Sequence, residues 1–567
     1  MSTKDNSREE FLNYKIMALL HDPPNKAWVI TSRARKLTKQ LESVKAKKRH
    51  EKVAKYIINQ LFGDINSKTD DNADELASSI DRYLGSIVYK EYSLFTNRSI
   101  FLKNILLSNI QRDVGNLFPK DKSELDNLIS EYKKLLNVTN TTNLNILKYQ
   151  LFYLIYELIW IDSRYENSPA ETRNPTHTIF DHLYATAAMM NWIFSLERGA
   201  KGYLLGIDTI GVADFISKGR KTRDLWISSY LVSALLWYVI TWFIEEYGPD
   251  VVLFPSLRFN QFYAFYLLEK LRKEKISEDV INEIKKLITK YIFNGDDLFE
   301  KLEIPPYPII PGRITLILPG LTRKGEEYAQ VPDDNYFISK VKERYNEGWR
   351  KLIEGLKCYS ELKREDGFWN LVCRVLKLTE DLLQTTPLNI RVKQVSVTKD
   401  EIFNNSKLCS DSWKIYDNKY RQLVSEFKKS KLVKVTPESR LKLFELTKFD
   451  KLPQIGEKSK RGYEFCTSCG VLPAVIIMPK EDEFEKKLIE LGIARDEKDV
   501  RSIKNMISSG ERLCPWCLVK RALGAEPRLM RILLLGDLCS VEEIVNEIVS
   551  KDVKIEIPST SDRFTKY

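Results

Sequence analysis

The sequence holds 567 residues, with 89 Lys and Arg against 78 Asp and Glu and a formal charge of +11. At roughly 100 to 200 residues per domain, this length predicts about three or four domains, each able to bury its own core. Hydrophobic residues at 43% and charged residues at 29% exclude disordered, collagen-like and coiled-coil chains, and the modest positive balance permits a polyanionic partner without requiring one.

Residues 1 to about 195 predict a mostly helical unit, with apolar positions at helical spacing in 11–20, 53–62 and 147–161. The polar start carries no apolar run and predicts no secretory signal. A basic stretch between residues 33 and 55 reads as a solvated helix face that phosphates can also approach. From residue 202 the pattern changes. Residues 203–207 predict a strand, 224–247 a long helix, 250–255 a second strand, 281–292 a helix and 314–318 a short buried strand, an α+β or α/β pattern. The uncharged run 225–244 is long enough to cross a bilayer. Its serines, and tryptophans spread throughout rather than gathered in two belts, predict a buried core helix instead. Residues from about 335 to 450 predict polar, lysine-rich helix.

All eight Cys lie between residues 358 and 539. A secreted disulfide framework would spread them through the chain, so they predict reduced thiols and a cytoplasmic protein. Cys466-Thr467-Ser468-Cys469 and Cys514-Pro515-Trp516-Cys517 form two C-x-x-C pairs, and four thiolates suit the tetrahedron of a structural Zn²⁺. The long stretch between the pairs predicts an inserted helix near 483–491.

Only four His occur, and three fall in two short segments. The first is Leu19-Leu20-His21-Asp22-Pro23-Pro24-Asn25-Lys26, at the end of an apolar helix. The second is Arg173-Asn174-Pro175-Thr176-His177-Thr178-Ile179-Phe180-Asp181-His182, where a helix starting near Thr178 puts His177 and Asp181 one turn apart. Imidazole and carboxylate donors gathered this way predict one shared site for Mn²⁺, Fe²⁺, Ni²⁺ or Mg²⁺ and phosphoester hydrolysis there. Lys26 is placed to neutralise a phosphate. The competing reading is a pair of satisfied core histidines with helix-capping Asp. Asn294-Gly295-Asp296-Asp297 looks like a paired-carboxylate turn, but its flanks predict a helix end at Gly295 and a helix cap at Asp296.

These pieces in this order resemble the large subunit of type III CRISPR effector complexes, specifically the III-B (Cmr) kind, the Cas-ten family. The resemblance rests on residues 19–28 and 175–188, on Arg220-Lys221-Thr222-Arg223-Asp224-Leu225-Trp226 with Phe254-Pro255-Ser256-Leu257-Arg258, on both C-x-x-C pairs, and on Pro558-Ser559-Thr560-Ser561. It implies a multidomain, mainly α fold with α+β. A permuted HD nuclease domain would span 1–198, a first ferredoxin-like palm 199–335, a helical domain with a four-cysteine zinc site 336–557, and the start of a second palm 558–567.

Carried over from the family, His21, Asp22, Asp181 and His182 match the HD metal positions, with His177 as an added ligand and His21, Asp22 and Lys26 in catalytic roles. Cys466, Cys469, Cys514 and Cys517 match the zinc ligands. Arg220, Lys221, Arg223 and Arg258 are implied as nucleotide or nucleic-acid contacts. The family implies cleavage of single-stranded DNA with Mn²⁺, Ni²⁺ or Mg²⁺ once a complex programmed by guide RNA has bound target RNA, with other Cmr subunits as partners and no membrane. Family members continue into a second palm whose Gly-Gly-Asp-Asp hairpin makes cyclic oligoadenylate from ATP. This sequence has no Gly-Gly pair and no carboxylate in 255–258. The expectation is therefore the front portion of a longer protein, with half of an ATP pocket and no cyclic-nucleotide synthesis alone. The alternatives are a non-catalytic scaffold binding guide RNA and partner subunits, and an HD phosphohydrolase of small nucleotides.

Overall fold

The computed structural model describes residues 7–30, 33–63, 65, 73–77, 101–103, 111–113, 118–137, 144–170, 177–219, 221–295, 298–403, 408–430, 454–457, 464–480 and 484–551. Its N-terminal part is built from helices α1 (Arg8–Leu20), α2 (Arg49–Phe62), α3 (Lys122–Leu136), α4 (Ile146–Asp162) and α5 (Ile179–Glu197). Helices α4 and α5 are apolar around their whole circumference, and both are buried on nearly every side. Their starts are set by side-chain caps: Asn145 accepts from the Lys148 amide and Thr178 from the Asp181 amide. The basic stretch divides between a short helix, Arg35–Gln40, and α2.

Next comes a four-stranded sheet with helices in its connections. Strand β1 (Gly202–Ile210) leads through α6 (Thr222–Tyr247) to β2 (Val252–Phe254), then through α7 (Gln261–Lys273) to β3 (Arg313–Pro319) and through α8 (Tyr336–Leu362) to β4 (Asn389–Val397). The strand order is β2-β3-β1-β4 with every neighbour antiparallel, that of a β-α-β-β-α-β arrangement with helices added between β2 and β3. The sequence reading finds β1, β2 and β3 but assigns the region of β4 to helix, and it ends the second unit at 335. In fact β4 pairs with β1 along its whole length, Gly202 opposite Val397 and Ile210 opposite Asn389. As an edge strand it keeps Arg391, Lys393 and Gln394 half-buried between Val392, Val395 and Val397. Its apolar residues therefore do not alternate strictly, and the strand signal is lost.

Both faces of β1 are covered. On one, Tyr203 meets the Phe337 ring of α8 at 5.7 Å, and Phe337 in turn meets Phe243 of α6 at 6.2 Å. On the other, glycines let aromatic rings approach: a Cβ on Gly202 would lie 2.6 Å from Trp192 of α5, and one on Gly206 would lie 2.6 Å from Phe427 of α9 (Leu408–Ser430). Helix α6 is apolar enough to pass for a membrane span, yet 89% of its most apolar window is buried. Its polar atoms find protein partners: Tyr230, Ser233 and Trp237 donate to the carbonyls of Pro305, Ile310 and Leu534 at 2.8, 2.6 and 2.9 Å. It is a core helix, as expected.

A buried polar knot ties the N-terminal helices to the sheet. Asp250, in the turn before β2, accepts from Lys15 of α1 at 2.9 Å, Tyr149 of α4 at 2.9 Å and Asn191 of α5 at 2.8 Å. In the C-terminal part, a small sheet of Ile455–Gly456, Ile476–Ile477 and Arg512–Leu513 holds the cysteine loops. Helices Phe484–Glu490 and α10 (Glu497–Met506) fill the stretch between the two pairs, and α11 (Pro515–Ala525) starts at the second. The helix Glu278–Tyr291 gives way to Asn294 and Gly295, both at positive φ, as a helix end requires. Asp296 and Asp297 lie outside the described residues.

Candidate metal centres

His21 stands at the C-terminal cap of α1. Its Nδ1 lies 2.7 Å from the Ala18 carbonyl oxygen, which can only accept, so Nδ1 carries a proton and Nε2 is the atom left to meet an ion when the ring is neutral. That Nε2 is 3.2 Å from His182 Nε2 on the first turn of α5 and 3.3 Å from Asp22 Oδ2. Asp74 closes the group, its Oδ1 lying 3.0 Å from His182 Nε2 and 3.7 Å from His21 Nε2. The donor atoms of His21, Asp74 and His182 all fall within 4.8 Å of one another, a spacing that one ion can span. Burial alone would depress the His21 pKa, but Asp22 and Asp74 outweigh it and push it up to about 10. Burial would raise both carboxyls, yet the histidines and, for Asp22, Lys26 hold them well below the usual carboxylate range.

The other residues expected here are placed differently. Lys26 donates to Asp22 Oδ2. Asp181 caps its own helix, its Oδ2 accepting from the Thr178 amide at 2.9 Å and from the Thr178 hydroxyl at 2.8 Å. Its Oδ1 accepts from Arg258. It therefore does not join the converging donors, and neither does His177, whose ring nitrogens are not among the atoms that come together there. Sequence reasoning misses two residues. Asp74 sits in a polar stretch with no motif around it. His50, the fourth histidine, lies with Nε2 3.7 Å from Asp22 Oδ1; the scarcity of His in the chain was its one signal.

Cys466, Cys469, Cys514 and Cys517 are brought together with all four sulfurs within 4.8 Å. The Cys469 and Cys514 Sγ atoms are 3.9 Å apart, close to the roughly 3.8 Å edge of a tetrahedron with bonds of about 2.3 Å. Hydrogen bonding among the four sulfurs lowers the Cys469 thiol, while burial raises Cys514. This cluster can hold a metal ion.

The basic residues expected to meet nucleotides are engaged inside the protein. Lys221 donates to the Met506 carbonyl at 2.9 Å and Arg223 to Met506 Sδ at 3.3 Å. Beside them Arg521 of α11 clasps Asp224 with two bonds of 2.8 Å and reaches Glu511 at 2.9 Å. These contacts dock the cysteine unit on the start of α6. Arg220 lies outside the described residues.

Comparison with known proteins places this geometry in a family. A family model described as CRISPR-associated protein Cmr2, N-terminal, matches residues 204–354. The chain is 95% identical over 562 residues to the CRISPR system CMR subunit Cmr2 of Saccharolobus solfataricus, covering 99% of this chain and 54% of that one. Among solved structures, the type III-B Cmr-beta cryo-EM structure of the apo state matches at 89% identity with a TM-score of 0.88, over 97% of this chain and 53% of that chain. The type III-B Cmr-beta structure bound to cognate target RNA matches at 87% identity with a TM-score of 0.84, over 97% and 52%. The chain thus spans about half the length of these relatives. By near-identity along that half, it belongs to the Cmr2 family of type III-B CRISPR systems.

Proposed function

We propose that this chain carries the nuclease centre of an RNA-guided type III-B effector complex, and that His21, Asp22, Asp74 and His182 hold a divalent ion there for cleavage of single-stranded DNA. The observation that supports it is the convergence of His21 and His182 Nε2 at 3.2 Å with Asp74 Oδ1 at 3.0 Å from His182. Two imidazoles and two carboxylates with open positions suit Mn²⁺, Ni²⁺ or Mg²⁺ better than a closed zinc site. When bound, such an ion supplies Lewis acidity, activating water and offsetting phosphate charge. The Ala18 carbonyl fixes the His21 tautomer. Lys26 holds Asp22 charged and can turn to a phosphate oxygen, while His50 faces the other oxygen of Asp22.

The four cysteines would hold a structural Zn²⁺, the ion that four thiolates prefer. The β-α-β-β-α-β sheet would be the first palm, contributing half of an ATP pocket. Partners would be other Cmr subunits, guide RNA and target RNA, in keeping with the RNA-bound relative.

The test uses the assembled complex with guide RNA, target RNA and Mn²⁺. Single-stranded DNA should be cut by the parent and spared by His21→Ala with Asp22→Ala. Undiminished cutting by that double variant would remove the assignment, and cleavage by neither, despite bound Mn²⁺, would favour the scaffold.

A further inference from the structure

Arg258 lies beyond the end of β2, in the sheet unit, yet its side chain ends among the N-terminal helices. Nε and Nη2 donate to Glu157 Oε2 of α4 at 2.9 and 2.7 Å, and Nη1 donates to Asp181 Oδ1 of α5. The guanidinium also lies over the Tyr184 ring of α5, 4.8 Å from its centroid. One planar fork therefore joins two helices of the N-terminal unit from outside it. Asp181 precedes the metal-site residue His182, and its second oxygen is already committed to the Thr178 cap. Both oxygens of Asp181 are thus fixed, and the first turn of α5 is clamped between its own cap and an arginine from the sheet.

We infer that Arg258 is a positioning residue of the metal centre, supplied by the sheet unit: through Asp181 and Tyr184 it sets the turn that presents His182. The inference rests on the metal site proposed above. Without Arg258, the buried Glu157 would lose its guanidinium partner and face the half-exposed Asp181 as a like charge. Helix α5 would relax at the turn that carries His182. Asp181 would keep its Thr178 cap through Oδ2 but lose the partner of Oδ1, one residue from a metal-site histidine. Lysine cannot replace the clamp, because a single ammonium does not bridge two carboxylates as the planar fork does. A group bonded directly to a ligand typically changes the ion's affinity about 10- to 100-fold, and Arg258, which reaches His182 only through Asp181 and Tyr184, belongs at the lower end.

The experiment is Mn²⁺ titration by calorimetry on the purified chain, with the melting of each metal-free variant measured alongside. Arg258→Ala should weaken Mn²⁺ binding about 10-fold in a protein that still melts cooperatively, with Arg258→Lys in between. Parent-like affinity in a folded Arg258→Ala would overturn the inference. Should that variant not fold, Arg258→Lys decides by the same titration: weakened binding supports the positioning role and unchanged binding ends it. A parent that takes up no Mn²⁺ would instead sink the metal site itself, so the two failures are distinguishable.

Discussion

His21 Nε2 and His182 Nε2 face each other at 3.2 Å although 161 positions separate them in the chain. Two imidazole nitrogens so close cannot both carry a proton comfortably, so they share either one proton or one ion. The pair forms because α1 and α5 pack side by side and each presents a histidine at the same level.

The proposed ligand set makes a comparison of two aspartates decisive. Asp74→Asn should lower Mn²⁺ affinity by more than about 100-fold, beyond the roughly 10- to 100-fold range of outer positions. Asp181→Asn should stay within that range, because its carboxylate is spent on Thr178 and Arg258. Parallel Mn²⁺ titrations check this. If Asp181→Asn cost as much as Asp74→Asn, Asp181 would be a ligand in solution.

The knot at Asp250 predicts a large stability effect. Lys15→Met should cost about 3–5 kcal/mol, the range for leaving a buried partner charge unpaired, and Asp250→Asn added to it should restore part. Burial pulls the Lys15 pKa down to about 8 against the opposing effect of Asp250. The unfolded chain keeps that proton up to the ordinary value of 10.5, so between about pH 8 and 10.5 the unfolded state binds more protons. In that window Lys15 makes stability rise with pH, and below about pH 8 its contribution is flat. Urea unfolding of the parent and Lys15→Met across this range gives the difference curve; a flat difference from pH 8 upward would contradict it.

Arg521, 1% exposed at its side chain, joins Asp224 at the start of α6 to Glu511 beside the second cysteine pair. Arg521→Met should destabilise by about 3–5 kcal/mol by stranding two buried carboxylates. Arg521→Lys should recover little of it, because two carboxylates are held by one fork. Thermal melting of the three proteins measures both effects.

The cysteine cluster predicts a stoichiometry and a location. Elemental analysis should find about one zinc per chain, falling toward zero in Cys514→Ser. Hydrogen exchange should then rise in Arg512–Leu513 and along α11, whose first turn Cys514 caps, because metal-binding free energy is folding free energy there. Zinc retained in Cys514→Ser would mean that three thiolates and a water suffice.

Much of this protein was legible before folding. Cys466, Cys469, Cys514 and Cys517 announce their own site because short spacing makes each pair local, and His21-Asp22 stands out against only four histidines. Strands β1 and β3, buried on both faces, read as apolar runs, whereas edge strand β4 did not, since half its side chains meet solvent. The roles of Asp74, Asp181 and Arg258 lay beyond the sequence. A carboxylate next to a histidine in the chain looks like a ligand, but only packing decides whether it meets an ion or an arginine. Asp181 meets Arg258, and Asp74 comes from a stretch without motif to join the two histidines of the candidate centre. Local chemistry fixed which residue types were available; the crossing of α1, α4 and α5 with the end of β2 decided which of them converge, because coordination depends on distances of a few ångströms that no linear spacing encodes.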